Sequence, residues 1–171
     1  MTRANHARTA LIKSFGTAMV TERFSRLSVR GICADAGVGR STFYLHYRNL
    51  DAMLMEAVSV MIDNIALSLT GALPTTEGEA IFTHIWEQRR HSELWRDAGF
   101  RSRFTAALAA RLERETGSPL SAQFAAAGVT ETLRGWTAGR LNIPPAALLA
   151  DLKELFSRLG RDSNAIPAAA V

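Results

Sequence analysis

The sequence lacks the features of disulfide-stabilised, secreted and membrane-spanning proteins. Its 171 residues contain one cysteine, so an internal disulfide cannot form and a reducing compartment is expected. No run approaches the roughly 20 apolar residues that span a bilayer, and polar and basic residues interrupt the N-terminal stretch where a secretory signal would be apolar. We therefore expect a cytoplasmic protein that does not enter a membrane.

The sequence also lacks the residue patterns of catalysis and metal binding. No Ser-His-Asp arrangement, phosphate-binding loop, zinc motif or pair of pocket carboxylates is evident, so we expect neither an enzyme nor a cofactor. One polar set has helical spacing: His84, Glu87, Arg90 and His91. Without a cysteine or a second cluster, a solvent-exposed face is favoured over a metal site there. Cys33 falls on an apolar helical face, which favours a packed thiol over a redox sensor.

Positive charge is concentrated in the N-terminal part of the chain. Residues 1–50 contain eight Lys or Arg and two Asp or Glu, whereas residues 51–171 contain twelve and fourteen. The formal net charge of the whole chain is +4. A basic end is expected where a protein neutralises nucleic-acid phosphates, although a merely solvated basic surface gives the same counts.

The stretch from residue 27 to residue 54 has the pattern of two short helices joined by a glycine turn. Ser28 suits the N-cap of a first helix, and Gly37 tolerates the positive φ that ends it. In the second helix Phe43 and Tyr47 are four residues apart and are predicted to pack inward. The residues predicted to point outward are Arg40, Ser41, Tyr44 and His46. Such basic, hydroxyl and aromatic side chains can contact base edges and phosphates when a helix enters the DNA major groove.

The same stretch resembles the signature of the tetracycline-repressor (TetR) family of bacterial transcriptional regulators. The resemblance covers about residues 9–57 and is carried by Gly37-Val38, the run Ser41-Thr42-Phe43-Tyr44-Leu45-His46-Tyr47, Asn49, Asp51 and Leu54. It implies an all-α fold of about nine helices. A helix-turn-helix DNA-binding domain of three helices is expected over residues 1–48, and a helical dimerisation and effector-binding domain over residues 49–171.

The resemblance also implies a homodimer that regulates transcription, most often as a repressor. Its two recognition helices would lie about 34 to 36 Å apart, or a longer in-phase distance, on a palindromic DNA operator. A small-molecule effector bound in the C-terminal domain would release the DNA by favouring a conformation in which the long helix has moved and the two recognition helices no longer have this spacing. The alternative is a DNA-binding or protein-interaction module of the same fold that does not respond to a ligand.

By resemblance, individual roles on DNA can be carried over to matching positions. The candidates for base contacts are Arg30, Arg40 and Ser41, since arginine bound to guanine is the commonest specific contact. The candidates for phosphate contacts are Ser28, Thr42, Tyr44 and His46. The family usually has a lysine where this chain has Leu50, and Arg48 is the candidate that replaces its phosphate contact.

The rest of the sequence predicts helices separated by glycine and proline. A first helix from about Arg3 to Val20 should cover the motif, and Phe24 should fix the following connection to the core. Asn49 should cap one long helix that continues to near Gly71. Further helices are predicted over about residues 80–91, 102–115 and 120–140, and after the Pro144-Pro145 pair.

Apolar and aromatic residues at helical spacing indicate where an effector would bind. In a TetR-like protein they could line a cavity between the long helix and the two helices that follow, although ordinary core packing is the simpler explanation for any one of them. The candidate pocket residues are Met61, Ile65, Phe82, Trp86, Trp95, Phe100 and Phe104.

The last two predicted helices carry apolar stripes that one helix cannot bury alone. Two such helices from each of two subunits would bury these stripes as a four-helix bundle, with an intrachain hairpin as the alternative. The candidate dimer-interface residues are Phe124, Gly128, Trp136, Leu148, Leu152, Leu155, Phe156 and Leu159.

Overall fold

The computed structural model describes residues 3–89 and 93–163, and every regular element among them is helical. The prediction of an all-α fold is therefore confirmed for this part of the chain. Within residues 3–89 and 93–163 there are ten α-helices, and a 3-10 helix at Phe24–Arg26 connects α1 and α2. The α-helices are α1 Arg3–Thr21, α2 Val29–Asp35, α3 Arg40–His46, α4 Leu50–Ala57, α5 Ser59–Thr70, α6 Thr75–Glu87, α7 Glu93–Arg96, α8 Ala98–Thr116, α9 Pro119–Thr137 and α10 Pro145–Ser163.

The chain forms two compact units, residues 1–59 and residues 60–171, called here the first unit and the second unit. In the first unit α1 packs against α2, α3 and α4. The unit therefore extends past residue 48, because α4 belongs to the same packed group of helices. Its interior is formed by Leu11, Phe15, Ile32, Phe43 and Met53, all at most 2% exposed.

Three local predictions in the first unit are confirmed. The Ser28 Oγ accepts a hydrogen bond from the Gly31 N–H at 3.1 Å, which caps α2. Gly37 has φ of +64° in the turn before α3, a value that disfavours residues with a Cβ. Phe24 meets Phe15 edge to face with ring centroids 6.3 Å apart, so it does fix the connection after α1 to the core.

The prediction of one long helix after Asn49 is wrong at Val58. The Asn49 side chain caps α4 by accepting from the Ala52 N–H at 2.9 Å, as expected, but α4 ends at Ala57 and α5 begins at Ser59. At this point the Ser59 hydroxyl donates to the Glu56 carbonyl at 2.7 Å. A side-chain donor that bonds nearby backbone competes with the helical pattern, which gives a physical reason for the interruption.

The segment Leu50–Thr70 is long and apolar enough to cross a membrane by length and composition, with a mean hydropathy of 1.5. Its apolar side chains include the buried Met53 and Leu54 of α4 and the buried Ile62, Ile65 and Leu69 of α5. These five side chains are covered by protein, so packing accounts for part of the hydropathy of the segment.

The second unit is built from α8 packed along α9 and from α10 packed on α6. Helix α6 begins at Thr75, within residues 75–79, where the sequence indicates a loop and the start of a helix. Helix α8 begins earlier than predicted, at Ala98, because the Asp97 carboxylate accepts from the Phe100 N–H at 2.6 Å. The predicted end of α8 is confirmed at Gly117, where φ is +69°. The predicted continuation of α6 to His91 falls on residues outside the described ranges.

Candidate DNA-binding surface

Helix α3 separates a buried face from an exposed face. Phe43 is fully buried and Tyr47, which ends the helix, is 3% exposed, so both pack inward as predicted. On the opposite side Tyr44 is 59% exposed and Leu45 is 83% exposed. Leu45 occupies the position for which the resemblance left two alternatives open, a contact with a thymine methyl group or no contact. Its exposure places a large apolar side chain on the same surface as the polar ones.

The predicted DNA-contact residues lie on α2, on α3 and next to them, and most have exposed side chains. Those with exposed side chains are Ser28, Arg30, Arg40, Ser41, Tyr44 and Arg48. Thr42 and His46 are half-buried. Within the first unit the structure thus offers three arginines, two hydroxyl groups and one tyrosine ring on the elements of the helix-turn-helix, a combination that suits phosphate and base-edge contacts.

The ring of Tyr44 is held by its neighbour in the core. It meets the buried Phe43 ring edge to face, with centroids 5.3 Å apart. Such a contact limits the rotamers of an otherwise exposed side chain. The Tyr44 hydroxyl is therefore presented from a restricted position, which reduces the side-chain entropy that any contact with a partner would cost.

A carboxylate that the sequence prediction missed holds the end of α3. The Glu56 Oε1 accepts a hydrogen bond from the Tyr47 hydroxyl at 3.0 Å and forms an ion pair with the Arg8 guanidinium at 2.7 Å. Burial, with the hydrogen bond to Glu56, raises the pKa of Tyr47 to about 12. Tyr47 therefore stays protonated at neutral pH and acts as a donor. No spacing rule joins Glu56 to Tyr47, because the contact depends on how α3 and α4 pack.

Cys33 is 3% exposed on α2, and burial raises its pKa. The charge of Arg40 acts on this pKa in the opposite direction. These observations agree with the packed thiol that the sequence favoured over a redox sensor.

The ring contacts divide the predicted pocket residues into two groups. Trp95, Phe100 and Phe104 pack on one another with centroids 5.0 to 5.8 Å apart. Phe82 and Trp86 instead contact Trp136, the Trp86 ring being stacked on it at 5.0 Å. Of the seven candidates only Met61 and Trp86 are half-buried; Ile65, Phe82 and Phe104 have no exposed surface. Most of this predicted pocket is therefore packed interior.

The predicted dimer residues divide into exposed and buried members. Leu69, α9 and α10 enclose an apolar groove of about 250 Å³ whose lining includes Phe124, Gly128, Leu152, Leu155, Phe156 and Leu159. Phe124 and Leu155 are 67% and 56% exposed. Leu120, which the prediction missed, is 80% exposed one turn before Phe124 on α9.

Trp136 and Leu148 do not belong to this exposed surface, and for them the predicted interface role is corrected. Trp136 has no exposed surface, and its Nε1–H donates to the Ile143 carbonyl at 2.7 Å. Leu148 is 2% exposed, and Leu152, although it borders the groove, is 7% exposed. Trp136 is covered by the α6 rings of Phe82 and Trp86, while Leu148 and Leu152 belong to α10, which packs on α6. The apolar stripe alone could not distinguish the two environments.

No group of three or more His, Cys, Asp or Glu side chains within residues 3–89 and 93–163 is arranged to hold a metal ion. His84 and Glu87 of the polar set in α6 are exposed. The other two members, Arg90 and His91, lie outside the described residues.

Comparison with known proteins gives structural matches only. No family model and no curated protein matches the sequence. A solved structure described as the dihydroxyacetone kinase operon activator DhaS matches with a TM-score of 0.54 at 17% identity, covering 91% of this chain and 97% of that one. The TetR family repressor AlkX from Dietzia sp. strain DQ12-45-1b, implicated in biodegradation of n-alkanes, matches with a TM-score of 0.60 at 12% identity, covering 91% and 95%.

Both similar structures are transcription regulators, and both are covered over almost their whole length. At these low identities the similarity concerns the fold, which is also the fold that the motif around Gly37 and Tyr44 implied. The chain therefore has an all-helical, TetR-like fold.

Proposed function

We propose that this protein is a sequence-specific, DNA-binding transcriptional regulator. The observation that carries the proposal is the exposed face of α3, where Arg40, Ser41 and Tyr44 project from a helix anchored by the buried Phe43. A guanidinium can read guanine and a tyrosine hydroxyl can bind a phosphate oxygen. The basic surplus of the first unit supports the same partner, since phosphates attract it over a distance.

The exposed Leu45 extends the proposal. Leu45 is 83% exposed, so it buries little apolar surface in the free protein. On a helix in the major groove it can contact the methyl group of thymine. Arg30 on α2 and Arg48 after α3 supply further positive charge, with Ser28, Thr42 and His46 as additional phosphate contacts. Arg48 takes the phosphate role that a lysine at position 50 would have, because Leu50 carries no charge.

We further infer that the functional form is a homodimer joined through the groove of α9 and α10. Phe124, Leu155 and the half-buried Phe156 and Leu159 form the apolar surface that a second copy would cover. Exposed apolar patches of this kind mark association sites in proteins of an aqueous compartment. A two-fold dimer presents two α3 helices to the two halves of a palindromic operator.

Repression relieved by a small-molecule effector is the mode of regulation we propose for this dimer. The structural neighbours include one protein named as a repressor and one named as an activator. Whether this protein represses or activates transcription is therefore tested by a separate experiment. Two aromatic groups mark where an effector would insert, one around Trp95 and the other around Trp86. Regulation of this kind implies a cytoplasmic protein without catalytic activity.

A second candidate function is a DNA-binding or protein-interaction module that ignores small molecules. The packing of Phe104 against Trp95 and Phe100 favours it, because a ligand would have to separate rings that already contact one another. Ligand-dependent release of a selected duplex, screened with apolar and aromatic compounds, would distinguish the two candidates. Release supports the effector-controlled regulator, and duplex binding that no compound changes supports the module.

DNA selection from a random duplex pool tests the proposed function most directly. The wild-type protein should enrich a palindromic motif at fixed salt. Arg40→Ala should relax the preferred base within each half-site, a discrimination of about 1–3 kcal/mol, whereas Tyr44→Ala should weaken all duplexes more evenly. Arg114→Ala, which removes an exposed arginine of α8 in the second unit, is the matched control and should change neither. Binding without any enriched motif, governed by salt alone, would contradict the proposal.

A further inference from the structure

Glu56 lies where three elements of the first unit meet. Its Oε1 accepts from the Tyr47 hydroxyl at the end of α3 and pairs with Arg8 of α1, while Glu56 itself is in the last turn of α4. We call these three side chains the Glu56 cluster. A single carboxylate oxygen therefore joins α1, α3 and α4.

Tyr47 is the residue that fixes how the chain leaves α3. Its backbone N–H donates to the Phe43 carbonyl at 2.9 Å and closes the helix, and its own backbone is extended with φ of −135°. The ring packs beside Phe43 with centroids 5.6 Å apart and is 3% exposed. The hydroxyl thus ends in a partly buried place where the loss of its acceptor is costly.

The backbone of Glu56 takes part in the interruption between α4 and α5. Its carbonyl accepts from the Ser59 hydroxyl at 2.7 Å, next to the break at Val58. The same residue therefore ends α4 through its backbone and holds α3 through its side chain. A rotation of the last turn of α4 would carry the carboxylate with it and pull on Tyr47.

We propose that Glu56 is a positioning residue for DNA reading, which sets the orientation of α3 through the Tyr47 hydroxyl. This inference rests on the proposed function and assigns a residue to it that touches no DNA. Tyr47 follows the last residue of α3 and lies about one helical turn after Tyr44. A shift of Tyr47 therefore also shifts the exposed face of α3. A small tilt at the end of α3 displaces side chains whose contacts with base edges have narrow geometric limits.

The affinity test uses the full-length protein with Tyr47→Phe, Glu56→Ala and Glu56→Gln. Binding is measured to the duplex that the wild type selects and to an unselected duplex of equal length. Tyr47→Phe and Glu56→Ala should each weaken the selected duplex about fivefold and leave the unselected one unchanged, the size expected for one lost hydrogen bond. Glu56→Gln keeps an oxygen acceptor in place and should lose less. The double variant Tyr47→Phe/Glu56→Ala should lose no more than Glu56→Ala alone, because Glu56→Ala already breaks the contact that Tyr47→Phe removes.

Glu115→Gln is the matched control. Glu115 pairs with Arg111 on α8 in the second unit, and its side chain is 26% exposed against 33% for Glu56. This variant should change neither affinity. Losses of the same size on both duplexes, or losses that follow only the fraction of folded protein in thermal unfolding, would overturn the proposal and leave a purely stabilising ion pair.

Amide hydrogen exchange of the DNA-free protein separates this inference from the proposed function. Tyr47→Phe should accelerate exchange in residues 43–47 and leave α8 unchanged. If the wild type selects no duplex, the proposed function fails, while accelerated exchange confined to α3 still supports Glu56 as the residue that holds this helix. Unchanged exchange in α3 would overturn the inference whatever the DNA result.

Discussion

The two compact units expose different chemistry over cores of the same kind. Residues 1–59 contain eight Lys or Arg and four Asp or Glu, whereas residues 60–171 contain twelve of each. Among the described residues of the first unit, the large exposed apolar side chains are Tyr44 and Leu45, both on α3. Among those of the second unit they are Val60, Leu120, Phe124, Leu141 and Leu155.

This difference teaches that exposure has to be read together with local charge. An apolar side chain surrounded by arginines and hydroxyls, such as Leu45, suits a polyanion that also presents methyl groups. An apolar groove with a neutral surrounding unit, such as the one beside Phe124, suits another protein surface. The chemistry of the first unit therefore fits the proposed contact with DNA, and that of the second unit fits the proposed contact with a second copy.

The largest expected effect tests whether Trp136 belongs to the core of the second unit. Trp136→Ala removes a fully buried ring that stacks on Trp86 and should lower the free energy of unfolding by about 3–5 kcal/mol. Urea unfolding at several protein concentrations measures it. The loss should be the same at high and low concentration, because the packing lies within one chain. A loss that disappears at high protein concentration would mean that Trp136 lies in the dimer interface.

A change in the groove of α9 and α10 should affect dimer formation and not the stability of one subunit. Phe124→Asp places a charge on the apolar surface of α9 and should weaken dimer formation about 100-fold, the range of an interface hot spot. Sedimentation equilibrium measures the change, and the unfolding of the isolated subunit should be little affected. Val60→Asp, at an equally exposed apolar position of α5, is the control and should leave the dimer intact. If both variants dissociate the dimer equally, the groove is not a specific dimer interface.

High pH should weaken the first unit through Tyr47. Because its pKa is about 12 when folded, against 10.0 in an open chain, the folded state holds a proton that the unfolded state releases. The stabilisation is complete below pH 10 and is lost as pH rises towards 12, by less than about 2.7 kcal/mol, the equivalent of two pKa units. Tyr47→Phe should lose this dependence.

The same titration can be followed directly in the Tyr44→Phe variant. The chain has two tyrosines, so Tyr47 is then the only one that contributes to an ultraviolet absorbance titration. A midpoint near 10 in the folded protein would show that Tyr47 is neither buried nor bonded to Glu56 as the structure has it.

The smallest expected effect concerns a buried hydroxyl in the second unit. The Ser68 Oγ is buried without a hydrogen-bond partner among the described residues and lies where a Cβ on Gly78 would be only 2.8 Å from it. Ser68→Ala should therefore raise the free energy of unfolding by about 1 kcal/mol, since an unsatisfied polar group is removed. Chemical denaturation measures the gain, and a loss of stability would mean that the hydroxyl has a partner in solution.

The sequence by itself determined the features that depend on neighbours along the chain. Capping by Ser28 and Asn49, the left-handed turn at Gly37 and the inward pair Phe43 and Tyr47 follow from interactions over a few residues, so residue type and spacing were sufficient. The resemblance to a known signature then extended this local pattern to a fold that the solved structures share.

The tertiary structure decided which apolar and charged side chains meet across the fold. Trp136 and Phe124 belong to the same helix and the same predicted interface, yet one is fully buried and the other is 67% exposed. The pairing of Glu56 with Tyr47 and Arg8 likewise had no signal in the sequence. Helical periodicity defines which residues share a face. What covers that face depends on how helices that are distant in sequence pack together in the core.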